Sequence, residues 1–110
     1  MLQVLAVLLA AVLGVVFGLL SNVTIPVTAA RYTAVMLLAA LDSIFGALKA
    51  SLNGRYETTV FLSGLITNSA VAGGLTYLGD RLGVELYFAA IFAFGVRIFQ
   101  NIAVIRRHLL

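Results

Sequence analysis

The chain has 110 residues, of which 63% are hydrophobic and 10% charged, and it carries a net charge of +3 and no cysteine. One domain with so little polar material cannot cover a water-facing surface, so lipid is the expected solvent. The missing cysteine excludes disulfides and thiol chemistry, and seven basic residues against four acidic ones, strung out between apolar runs, exclude the clustered cationic face that nucleic acid requires.

Helix 1 is predicted over about residues 2–20, long enough at ~1.5 Å per residue to cross a hydrocarbon core of roughly 30 Å. Residues 1–30 contain no charged side chain. The apolar stretch Val4 to Leu20 lacks a basic leader and exceeds the usual signal-peptide core, so a retained helix is expected although Thr28-Ala29-Ala30 resembles a cleavage site. Gly14 and Gly18 form a G-x-x-x-G spacing that lets two helix backbones approach closely. Next comes "SNVTIPVTAAR", where Pro26 and its β-branched neighbours disfavour continued helix. Asn22-Val23-Thr24 fits a glycosylation sequon, a three-residue match that matters only in a secretory eukaryotic setting.

Helix 2 is predicted over about residues 32–50 and ends at the turn signal Asn53-Gly54. It places Asp42 at its centre and Lys49 near its end. Arg31, Asp42 and Lys49 lie 11 and 7 positions apart and so fall within about 20 degrees of one stripe. A central Asp costs roughly 2.5 to 3.5 kcal/mol on insertion scales, so this helix needs protein partners, whereas Lys49 can snorkel to the interface.

Helix 3, about residues 58–78, holds no charge and offers Ser69/Gly73 and Ala70/Gly74 as further small-residue pairs. "GDRLG" then makes a tight connection. Helix 4, about residues 84–105, carries Arg97 and Asn101 at i and i+4, with Gln100 on the adjoining edge, and ends at Arg106-Arg107-His108. Gly14, Gly18, Gly73 and Gly74 are the expected helix-packing positions, within the chain or between copies.

The predicted fold is therefore all-α: a polytopic membrane protein with four transmembrane helices in a compact bundle, one integral membrane domain over residues 1–110. Four crossings put both ends of the chain and the loop between helices 2 and 3 on one side. That side holds the basic rim Lys49, Arg55, Arg106 and Arg107. The positive-inside rule makes it cytoplasmic.

Charge complementarity and depth pair Asp42 with Arg97, with Gln100, Asn101 and Asn68 meeting the remaining donors and acceptors. Three roles follow from such an intramembrane network: a latch fixing helix register, a proton or ion path, or a contact to another subunit or membrane protein. No paired acid and base, metal cluster or phosphate loop is recognisable, and the lone His108 lies in the tail, so neither an enzyme nor a cofactor or metal is expected. The expected partners are the lipid bilayer, a second copy or other membrane proteins, and no nucleic acid.

The stretches "AALDSIFGALKASLNGRYE", "FLSGLITN" and "LGVELYFAAIFAFGVRIFQNIAVIRR" resemble the bacterial small basic protein family, a membrane domain of unknown function. The resemblance covers about residues 20–107 and is most specific where an arginine inside an aromatic helix is followed by Gln-Asn. It implies a small inner-membrane protein of Gram-positive and related bacteria, often encoded beside cell-division and envelope genes. By that resemblance Asp42, Asn68, Arg97, Gln100 and Asn101 occupy the family's polar positions inside the membrane. The expected function is a non-catalytic structural or assembly component of an envelope or cell-division complex; the alternative is an oligomeric channel or transporter with Asp42 and Arg97 lining the path.

Overall fold

A computed structural model describes residues 2–110, apart from the side chains of Gln3 and Val4. Four helices follow in order: α1 (Leu2–Leu20), α2 (Val27–Leu52), α3 (Thr58–Leu82) and α4 (Tyr87–Leu109). Among the described residues α2, α3 and α4 are long and apolar enough to cross a membrane, while Leu5–Leu20 of α1 is a shorter apolar stretch.

The helix ends follow from local chemistry. Leu, Val and Ala carry α1 without interruption to Ser21, whose amide still donates to Phe17 O at 3.0 Å. α2 starts at once after Pro26, five residues before the predicted start. Proline lacks an amide hydrogen and has φ fixed near −65°, both of which suit the entry to a helix, where amides have no internal partner anyway. The earlier start brings Arg31 into the helix. At the other end Gly54 takes φ +72°, and the Arg55 and Gly54 amides donate to Ala50 O and Ser51 O at 2.8 and 3.2 Å. This paired pattern satisfies the last carbonyls of α2 and needs a left-handed residue where glycine stands.

α3 runs four residues past its predicted end and stops at Gly83, φ +74°. α4 starts three residues later than predicted because Val84, Glu85 and Leu86 fold back over α3. A side chain at Gly79 would bring a Cβ to 2.5 Å from Val84 O and 2.9 Å from Leu86 N. Glycine at 79 is what permits so short a turn.

α2 is the spine: it packs along both α3 and α4, which touch each other far less. The core gathers Val35 and Ala39 of α2, Ala72 of α3, and Ala90 and Phe94 of α4. A smaller cluster joins Leu48 to Ile105, and Val7 of α1 packs against it. Val7 thus brings the beginning of α1 to the end of α2, as an antiparallel neighbour.

Within the single chain, the expectation of glycine-mediated packing is corrected at three of its four positions, which leaves Gly14, Gly18 and Gly74 to the other expected use, packing between copies. A Cβ at Gly14, Gly18 or Gly74 meets nothing within 4 Å, and only Gly73 has a neighbour, the Met36 sulfur at 3.4 Å. Contact of α1 with the rest of the chain is slight. The physical reason is that α1 carries no charged side chain that must be hidden, and its described side chains from Leu5 to Leu20 are apolar, so they give it no polar partner to seek in the bundle. A small-residue spacing permits close approach without compelling it.

Candidate functional site: a polar cleft between three helices

Because α3 and α4 both lean on α2 but scarcely on each other, their walls part towards the α2–α3 turn. The gap is a cleft of about 380 Å³. Asp42, Ser43, Gly46 and Lys49 of α2 form its floor, Asn68 and Phe61 of α3 one wall, Arg97, Gln100 and Asn101 of α4 the other, and Arg55 to Glu57 its mouth. Every member of the predicted intramembrane network lines this one space.

Geometry divides the members. The Asp42 side chain is 0% exposed and its Oδ2 lies 3.2 Å from Nη2 of Arg97, whose side chain is 58% exposed. This is a charge contact only, since neither Asp42 oxygen has a hydrogen bond. A buried carboxylate so placed relies almost wholly on a single cation. Asn101 is buried at the α2–α4 contact. Its Nδ2 would lie 3.8 Å from a Cβ at Gly46, so the small residue there leaves room for the amide.

The expected help from the three amides is a second correction. None of Gln100, Asn101 and Asn68 hydrogen-bonds to Asp42. Asn68 Nδ2 donates instead to Ser43 Oγ at 3.4 Å. The cause is helical rotation: successive residues point about 100 degrees apart, so Asp42 addresses α4 while Ser43 addresses α3. Gln100 is exposed at the cleft wall.

The polar stripe read along helix 2 serves two separate places. Lys49 shares the cleft with Asp42, but Arg31 belongs elsewhere. Eleven residues at ~1.5 Å put it roughly 16 Å from Asp42 along the axis. There Arg31 Nη1 meets Asp80 Oδ1 at 2.8 Å, Tyr32 OH donates to Asp80 Oδ2 at 2.8 Å, and Glu85 lies at 4.0 Å. The guanidinium also stands 4.6 Å above the Tyr87 ring. Sequence reasoning missed this clamp. Its signal was the antiparallel pairing of helices 2 and 3, which sets the start of one beside the end of the other.

The basic rim separates too. Lys49 and Arg55 line the cleft; Arg106 and Arg107 are exposed outside it, Arg107 Nε donating to Ala103 O at 3.3 Å. His108 Nε2 lies 2.8 Å from Asn53 Oδ1 and ties the end of α4 to the α2–α3 turn. Among the described residues no three of His, Asp and Glu are grouped to hold a metal ion.

The family described as "Protein of unknown function (DUF1290)" matches residues 25–110, which include the cleft, the clamp and both turns. The chain belongs to this family. It is 54% identical over 99 residues to the "Small basic protein" of Bacillus subtilis, covering 90% of this chain and 82% of that one. It is 39% identical over 98 residues to uncharacterized proteins of Mycobacterium bovis and Mycobacterium tuberculosis, covering 87% of this chain and 81% of each relative. No solved structure matches it. The expected small basic protein resemblance is thus established, and the matched segment begins just before Pro26, leaving α1 outside it.

Proposed function

We propose that the chain is a non-catalytic four-pass protein of the bacterial cytoplasmic membrane, with both ends in the cytoplasm, serving as a structural or assembly component of an envelope or cell-division complex. One observation carries this reading: α1 is an apolar helix exposed along nearly its whole length, barely attached to the other three, with an open G-x-x-x-G edge. A fourth crossing by α1 hides that surface in lipid. It also leaves an edge on which a second copy or another membrane helix can pack as closely as van der Waals attraction requires.

Orientation follows from charge. Lys49, Arg55, Arg106 and Arg107 cluster at the end where α2, α3 and α4 meet the α2–α3 turn, whereas Asp80 and Glu85 offset Arg31 and Arg81 at the other end. The envelope and division setting is what the family resemblance implies. The non-catalytic reading is supported by Asp42, which among the described residues faces a cation and not a second carboxylate.

A second reading, a channel or transporter formed by several copies, is favoured by the cleft itself, because it runs from the helix ends to the depth of Asp42 and Arg97. Both readings meet one experiment: the mass and co-purifying membrane proteins of the chain in nanodiscs, followed by flux into liposomes. A self-associated or partner-bound species without flux supports the assembly role. Flux that disappears in Asp42→Asn overturns it for the transport reading, and a lone monomer without partners or flux overturns both.

A further inference from the structure

We propose that the cleft binds the phosphate of an anionic lipid headgroup, with Lys49, Arg55 and Arg97 as its cationic contacts; this rests on the membrane reading above.

The seven basic residues are unequally occupied. Arg31 is taken up by Asp80 and Glu85, Arg81 stands 6.0 Å from the Tyr77 ring, and Arg106 and Arg107 lie outside the cleft. The remaining three all line it. Among the described residues neither Lys49 nor Arg55 lies within 4.0 Å of a carboxylate. Arg97 touches Asp42 through one nitrogen and keeps a side chain 58% exposed, so the rest of its donor fork is available.

Two acids share the space, Asp42 and Glu57. Asp42 is wholly buried against Arg97 and presents no surface to a ligand. It acts by holding the guanidinium at the cleft wall. Glu57, at the mouth, leaves a cationic excess deeper in. Asn68 and Gln100 add neutral amide donors. Several donors lining one cleft suit phosphate, whose oxygens accept many hydrogen bonds at once, and the planar fork of arginine matches a phosphate's paired oxygens.

A lipid, and not a free anion, is indicated by the α3 wall. Val60, Phe61 and Gly64 line the same cleft, and Val60 is 63% exposed, so the polar space runs directly into apolar surface. Acyl chains can leave along that surface while the headgroup stays among the cations. The volume, about 380 Å³, lies in the range of small-molecule sites, ~300 to 1,000 Å³.

The test uses the whole chain in nanodiscs made with phosphatidylglycerol or with phosphatidylcholine alone, with lipid retention read by native mass spectrometry. Lys49→Gln/Arg55→Gln removes two cleft charges and spares the Asp42–Arg97 pair. Arg106→Gln/Arg107→Gln removes two charges from the same end outside the cleft. The expected result is preferential retention of phosphatidylglycerol, falling about fivefold per charge in the first variant and unchanged in the second. Millimolar glycerol phosphate should displace the retained lipid. Equal loss in both variants, or no preference over phosphatidylcholine, would overturn the site, and binding of glycerol phosphate without any lipid preference would overturn the lipid source. Recovery of a monodisperse chain from plain buffer would instead sink the membrane reading, whereas insertion without selective retention sinks this inference alone.

Discussion

The chain holds two ionic centres of similar composition in very different settings. At the mid-depth of α2 and α4, one fully buried carboxylate meets one half-exposed arginine at 3.2 Å with no hydrogen bond to either oxygen. At the opposite end from the α2–α3 turn, Asp80 accepts from Arg31 and Tyr32 at 2.8 Å each, with Tyr87 beneath the guanidinium. Both acidic and basic partners there are partly exposed, 38% and 40%. The difference teaches that number of contacts and dependence on contacts run in opposite directions. Asp80 has many partners and water to fall back on; Asp42 has a single cation in contact and no hydrogen bond.

Variants at four places test that contrast. The largest effect is expected for Arg97→Leu, which strands Asp42: a loss of about 3 kcal/mol or more, read as failed recovery or a large drop in thermal midpoint in nanodiscs. Removing both charges together in Asp42→Asn/Arg97→Gln should restore most of it, and a double variant no better than the single one removes pairing from the account. Next comes Gly79→Ala, where a new Cβ runs into the backbone of Val84 and Leu86. Overpacking of this kind costs about 1 to 3 kcal/mol, and wild-type stability in this variant would show that the short turn can shift freely.

The end clamp should be weaker. Arg31→Gln is expected to cost about 1 kcal/mol or less and to lose its effect at high salt, since exposed pairs are screened. A cost equal to that of Arg97→Leu would erase the distinction between the two centres. The smallest effect on the fold is expected for Gly14→Leu/Gly18→Leu, within about 0.5 kcal/mol, because a Cβ at either position meets nothing within 4 Å. The same variant should still disrupt any assembly built on α1, visible as a change in particle mass. An unchanged mass would remove that edge from the assembly account.

Much of the architecture is legible in the residues. Unbroken apolar runs separated by "SNVTIP", Asn53-Gly54 and "GDRLG" mark four helices because only a helix satisfies a backbone with few polar neighbours, and a central carboxylate announces that α2 must be covered. Helix ends were harder: Pro26 reads as a breaker but acts as a starter, since the same missing amide that ends one helix suits the entry of the next.

What the residues alone determined, then, was the apolar character of the helices, their number and the need of Asp42 for a cation, all of which follow from transfer free energy and 3.6-residue periodicity. Tertiary structure alone decided which polar group meets which. The turn at Gly79 holds α4 back over the end of α3, rotation along α2 sends Asp42 to Arg97 and Ser43 to Asn68, and Arg31 goes to a partner nearly fifty positions away in sequence, Asp80. Pairings of that kind depend on the angle at which helices splay, and no spacing within one helix encodes it. The cleft is the result of that angle: α3 and α4 share α2 but part from each other, and the charges between them stay within reach of a ligand.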